Sequence, residues 1–223
     1  CKIYYFFKKN IRFKNKIINV NNETDFLKNF AFKKRDNSLA KIIAITGSAG
    51  KTSLKNLVNI LLKNYGKTFC SPKSYNNHFG VPLSLSFLDN IHKFGVFEVG
   101  MSRAGEINIL SKIIRPHIGI ITNIGEAHIE NFNSLKEIAD AKSEIMNHIE
   151  NNGILLLNRD DKYFNYLEKK AKSKNLKVVS FGINKEADVY PLSFSEREKK
   201  QIITIKTPRR TLNFKIKNIN IYN

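Results

Sequence analysis

The sequence predicts an α/β fold: a mostly parallel sheet flanked by helices, with a short antiparallel β segment near the C-terminus. Three observations lead there. Between Lys41 and Phe181 short apolar runs alternate with helix-length segments, the pattern of βαβ units whose strands pair in parallel. The first of these runs passes directly into Thr46-Gly47-Ser48-Ala49-Gly50-Lys51-Thr52, a glycine turn that opens a helix. After Asp188 only strand patterns remain, and Gln201–Lys206 and Thr211–Ile216 read as a hairpin around Thr207-Pro208-Arg209-Arg210.

The elements follow in order. Residues 1–38 are polar, basic and weakly patterned, with a helix start at Asn21-Asn22-Glu23-Thr24. Ile42–Ile45 is a short buried strand, and the helix after the glycine turn runs to about Lys63. Lys67–Cys70 is a strand leading into a polar loop at 71–77. Phe94–Val99 reads as strand, Ala104–Ile114 as helix and His117–Ile121 as strand. Ser134–Ile149 reads as one long helix, opened by a capping box of Ser134 and Glu137. Gly153–Leu157 (strand), Asp161–Ser173 (helix) and Lys177–Phe181 (strand) complete the alternation. The chain opens without Met and stops at Asn223 with no closing element, so both ends read as cut.

Composition bounds the function. The 223 residues are 42% hydrophobic and 26% charged, enough for a packed core rather than a disordered tail. A net charge of +19 excludes an acidic buffer protein and raises nucleic acid or an anionic membrane as partners. Lys, Asn and Ile recur along the whole chain, however, so the charge reads as a solvated surface, and no nucleic-acid partner is expected. Cys1 and Cys70 make neither a disulfide framework nor a C-x-x-C metal pair. That favours a reducing, cytoplasmic setting. No apolar run approaches the roughly 18 residues of a membrane span. The opening Cys1–Phe7 run is too short for a signal-peptide core and is closed by Lys8-Lys9.

Chemistry concentrates at the glycine turn. Gly47, Ser48, Ala49, Gly50, Lys51, Thr52 and Ser53 have the form of a phosphate-binding loop, although Ile45 stands where the general pattern has its first glycine. Backbone N–H groups and the helix N-terminus would cradle phosphates, Lys51 would reach their outer oxygens, and the Thr52 hydroxyl would ligate Mg²⁺. Glu98 closes the strand Phe94–Val99, at the sheet end where open α/β folds bind ligands. It reads there as a Mg²⁺ carboxylate or, equally, as a solvated strand-end glutamate. From spacing alone His128 is a loop histidine, Lys142 a solvated mid-helix charge, and Asn76-Asn77 turn chemistry.

Five segments in order shift that reading. They are Thr46–Thr52, Tyr75-Asn76-Asn77-His78-Phe79-Gly80-Val81-Pro82-Leu83, Phe97–Ile107, Thr122-Asn123-Ile124-Gly125-Glu126-Ala127-His128-Ile129-Glu130 and Ala141-Lys142-Ser143-Glu144-Ile145. Over about residues 40–160 the chain resembles the ATP-binding central domain of the Mur ligases. The resemblance implies Mg²⁺ ligation by Thr52, Glu98 and His128, with Lys142 carrying a CO₂-derived carbamate that helps hold a second Mg²⁺. It places Asn77 near the γ-phosphate and the substrate carboxylate. Ser48 and the Asn-Asn-x-x-Gly-Val-Pro-Leu segment favour the member that joins D-alanyl-D-alanine to UDP-N-acetylmuramoyl-tripeptide. The resemblance makes residues 1–38 the tail of a UDP-sugar-binding domain, residues 39–223 an incomplete ATP-binding domain, and the enzyme a monomer. The adenine-contacting strands and third domain of the family are not matched, and Lys217 and Ile219 replace a usual Gly and His. The chain alone is therefore expected to bind nucleotide weakly and turn over little. Another ligase of the superfamily, single amino acid-adding or folylpolyglutamate-type, is the alternative, followed by a basic nucleic-acid-binding protein with a phosphate loop.

Overall fold

A computed structural model of the chain describes residues 20–127, 129–197 and 200–217. Six parallel strands form the main sheet: β1 (Lys41–Thr46), β2 (Thr68–Cys70), β3 (Phe94–Glu98), β4 (Ile118–Ile121), β5 (Ile154–Asn158) and β6 (Lys177–Phe181). Their order is β2-β3-β1-β4-β5-β6. The helices are α1 (Glu23–Asp36), α2 (Lys51–Lys63), α3 (Gly80–Ser86), α4 (Glu106–Ile114), α5 (Leu135–Ser143) and α6 (Phe164–Lys172). A separate antiparallel sheet holds β7 (Tyr190–Arg197), β8 (Lys200–Lys206) and β9 (Thr211–Lys217) in sequence order.

The central strands are apolar throughout because both faces of the sheet are covered. Ile42 and Ala44 of β1 face a large core with Phe97, Leu85, Ile107, Leu110 and Ile138. Ile43 and Ile45 face the other side with Val96 and Ile120, under Leu54, Val58 and Leu62 of α2. Ala31 of α1 belongs to the larger core, so that helix packs on the same body as the sheet. Arg35 anchors it, donating to the carbonyls of Ile114 and Arg115 at 2.6 and 2.7 Å where α4 ends.

Topology fixes where a ligand can sit. After β1 the chain builds β2 and β3 on one side, then crosses to β4 on the other. The carboxyl ends of β1, β3 and β4 therefore border a crevice, and Glu98 lies directly across from Ile45 in register. Among the described residues no helix is long and apolar enough to cross a membrane.

Several elements depart from the sequence reading. The long helix Ser134–Ile149 is α5 followed by a 3₁₀ turn at Glu144–His148. The Glu144 carboxylate, on the residue immediately after α5, accepts from the N–H groups of Gly105 (2.7 Å) and Asn108 (3.0 Å) and so caps α4. Ser134 caps α5 as expected, but Glu137 reaches back to the N–H of Asn133 (3.0 Å) instead of completing a box with Ser134. Helix α4 begins only at Glu106, because Gly105 is left-handed at φ 88. The helix expected from Asp161 starts at Phe164, since the Asp161 carboxylate accepts from the N–H groups of Ile124 and Tyr163. Helix α3 is new to the sequence reading, and β7 adds a third strand to the hairpin expected after Asp188. Cys1 and the 218–223 segment lie outside the described residues.

Candidate active site

Residues 47–50 join β1 to α2 as a tight loop. Gly50 at φ 78 precedes the helix, whose first turn carries no acidic residue to oppose an anion. Gly47 is required by space as well as by backbone. It sits at φ 149, and a Cβ there would lie 1.8 Å from Thr122 Oγ1. The closeness arises because the loop is laced to the segment after β4. Thr122 Oγ1 donates to the Ala49 carbonyl (2.6 Å), and Asn123 Oδ1 accepts from the N–H groups of Ser48 (3.1 Å) and Ala49 (2.8 Å). Ser48 Oγ donates to the Gly125 carbonyl (2.9 Å) and lies 2.8 Å from the Gly125 N–H. Gly47→Ala is expected to lower nucleotide affinity by about tenfold or more and stability by roughly 1–3 kcal/mol. Calorimetric titration with ADP and thermal melting check both; an unchanged affinity would dismiss the close fit.

Beside the loop stands a carboxylate. Glu98 is 1% exposed. Its Oε2 accepts from the Thr52 hydroxyl at 2.8 Å, and its Oε1 accepts from Asn76 Nδ2 at 2.8 Å. Lys51 folds back on its own loop, donating to the carbonyls of Gly47 (2.7 Å) and Ser48 (3.3 Å). Lys51, Lys142 and Asn77 share a cleft of about 420 Å³ with Gly47, Asn76 and His78. Lys142 is 2% exposed.

The structure thus brings Gly47, Lys51, Thr52, Glu98, Asn77 and Lys142 to one end of the sheet. Ser48, Ala49 and Gly50 complete the loop, whereas Ser53 lies on the exposed side of α2 and outside the cleft lining. His128 lies outside the described residues. Asn77 also keeps the turn role that spacing suggested, its Oδ1 accepting from the N–H groups of Phe79 (3.2 Å) and Gly80 (2.9 Å) at the start of α3. Sequence reading missed two residues that hold Glu98, Asn76 and Lys55 of α2, whose ammonium lies 3.6 Å from Glu98 Oε2. The position of Asn76, one residue before Asn77, carries no local pattern that separates those two asparagines.

Electrostatics favours an anion. Two lysines converge on the cleft. Burial lowers the Lys51 pKa, with Glu98 opposing, while burial and the nearby Lys51 charge push Lys142 down to about 8. The oxygen donors suit Mg²⁺: a threonine hydroxyl and a carboxylate already in contact are hard ligands, and that ion takes the rest from phosphates and water. Among the described residues no three His, Cys, Asp or Glu side chains form a metal cluster of their own. A Mg²⁺ carried on a nucleotide needs none.

The chain is similar to known proteins over most of its length. The sequence matches the Mur ligase middle domain over residues 45–223. It is 41% identical over 175 residues to the UDP-N-acetylmuramoyl-tripeptide–D-alanyl-D-alanine ligase of Rickettsia prowazekii, covering 78% of this chain and 39% of that protein. Among solved structures, MurF from Acinetobacter baumannii superposes with a TM-score of 0.81 at 30% identity, covering 88% of this chain and 43% of that one. MurF ligase from Thermotoga maritima in complex with ADP does so with a TM-score of 0.78 at 28% identity, over 91% and 46% of the two chains. The chain spans about two fifths of the length of these relatives. The glycine loop, the buried carboxylate on Thr52 and the two converging lysines lie within the matched segment, and the chain belongs to the Mur ligase family through that middle domain.

Proposed function

We propose that this chain is the ATP-binding part of a cytoplasmic ligase that joins D-alanyl-D-alanine to UDP-N-acetylmuramoyl-tripeptide, a step of peptidoglycan precursor synthesis. One observation carries the reading: Lys51 and Lys142 converge on a single cleft beside the Thr52–Glu98 pair. The similarity to the Rickettsia ligase, over most of this chain, supports the choice of substrates. On this reading residues 39–223 form the nucleotide-binding domain, and the segment before them leads in from a UDP-sugar-binding domain.

The chemistry follows from what a carboxylate needs before it condenses with an amine. A terminal carboxylate oxygen of the tripeptide attacks the γ-phosphorus of ATP. The bond to the β,γ-bridging oxygen breaks, giving an acyl phosphate and ADP. The amine of D-alanyl-D-alanine then attacks the acyl carbon, phosphate leaves, and the nitrogen loses a proton as the amide forms. Lys51, released from its loop carbonyls, would neutralise the phosphates and bring the like-charged carboxylate and triphosphate together. The N–H groups of Gly50, Lys51 and Thr52, at the start of α2, would hold the β-phosphate. Thr52 and Glu98 would hold Mg²⁺, with His128 and a carbamate on Lys142 as further ligands; the ion supplies positive charge to the phosphate oxygens. Asn77 would face the γ-phosphate and the carboxylate. The carbamate forms when neutral Lys142 Nζ attacks CO₂ and loses a proton, turning a cation into an anion.

The test is phosphate release from ATP and Mg²⁺ by the complete reading frame, with each substrate omitted in turn. Release that requires both UDP-N-acetylmuramoyl-tripeptide and D-alanyl-D-alanine is the expected result. Release indifferent to both would overturn the assignment of substrates.

A further inference from the structure

Helix α2 is amphipathic, yet the one residue it buries completely is a lysine. Lys55 is 0% exposed, one turn beyond Lys51. Its ammonium lies 3.6 Å from Glu98 Oε2 and donates to the carbonyl of Lys73, a residue held in the left-handed region at φ 44. Among the described residues this is the ion pair that Glu98 makes. The other partners of its carboxylate, Thr52 and Asn76, are neutral. A fully buried lysine is costly unless it compensates a buried charge; a buried pair replaced as a whole by apolar side chains is often as stable or more so, whereas removing one partner alone strands the other charge.

We propose that Lys55 is a positioning residue: a built-in counter-ion that holds Glu98 aimed at Thr52 before Mg²⁺ arrives, and that fastens the 71–77 loop bearing Asn76 to the same point. Glu98 is then ready to meet the ion without turning, because Asn76 and Lys55 hold it from two sides. When the metal binds, the two positive groups share one carboxylate, so the ion relieves part of the need for Lys55. This rests on the reading of Glu98 as a metal-side carboxylate.

The test compares melting temperatures of the full chain as wild type, Lys55→Met, Glu98→Gln and the double variant, each in EDTA and with Mg²⁺ plus ADP. In EDTA, Lys55→Met is expected to melt roughly 10 °C lower, the loss typical of a buried charge left alone. Adding Glu98→Gln to it should recover at least half of that loss, and Mg²⁺ with ADP should raise Lys55→Met more than wild type. If Lys55→Met does not fold, a folded double variant supports the proposal equally, and an unfolded one overturns it. An equal loss with and without Mg²⁺ and ADP, unrelieved by Glu98→Gln, would also overturn it and reduce Lys55 to packing. In wild type alone, melting is also measured with ADP in EDTA; a wild type that gains nothing from Mg²⁺ over that would count against the metal reading of Glu98, leaving the EDTA comparison to decide on Lys55.

Discussion

Lys51→Ala is expected to lower ATP-dependent phosphate release by the complete reading frame about a thousandfold or more, a loss of roughly 4 kcal/mol of transition-state stabilisation. The fold should survive, because among the described residues the ammonium donates to two carbonyls of its own loop and burial already disfavours its charge. Melting of the variant within a few degrees of wild type would establish that the loss is chemical. A second effect distinguishes Lys51 from a simple phosphate contact. Its charge helps to hold the Lys142 pKa down, so removing it raises that pKa and lowers the share of Lys142 able to take up CO₂. Turnover within threefold of wild type would remove Lys51 from the reaction.

What could be read in the sequence was what depends on short-range order. The β1–loop–α2 unit declares itself because an apolar run, a glycine turn and Gly-Lys-Thr follow without a gap. Helix α3 did not, because Gly80 and Pro82 are turn residues by habit. Yet Pro82 is the third residue of α3, within the first turn, where its missing N–H has no helical partner to lose. The break after Ser143 was hidden for the opposite reason. The sequence 144–148 has no helix-stopping residue, and the cause is distant, the free N–H groups of Gly105 and Asn108 that draw in Glu144.

Within the candidate site, Thr52 and Lys51 were legible from the loop pattern, and Glu98 was one of two equal readings of a strand-end glutamate. Lys55 and Asn76 were not. A lysine on an amphipathic helix reads as solvated, and only the register that sets Glu98 across from Ile45 brings a buried carboxylate beneath α2. Lys142 became visible through family resemblance alone, since its burial comes from the packing of α5 against the crevice and leaves no trace in spacing.

Lys142→Met is expected to act in opposite directions on stability and on turnover. In the folded chain the pKa of Lys142 is about 8, against a usual 10.5. Between those two values the unfolded chain binds more protons than the folded one, so wild-type stability rises with pH across that window. Below about pH 8 both states are protonated and the full cost of burying the charge is present, on the order of 3 kcal/mol. Methionine removes that cost. In CO₂-free buffer at pH 7 the variant should melt roughly 5–10 °C above wild type, with the gap closing as pH rises from 8 toward 10.5. Turnover should fall by about a hundredfold or more, because the anion that Lys142 would become is lost. The same pKa explains how the lysine reacts at all: at pH 7.5 about a quarter of it is neutral, against about one in a thousand for an ordinary lysine. Wild type in ¹³C-bicarbonate should therefore show a carbamate resonance that the variant lacks. A variant no more stable than wild type at pH 7 would mean that the buried ammonium is compensated after all, and a resonance that persists in it would place the carbamate on another amine.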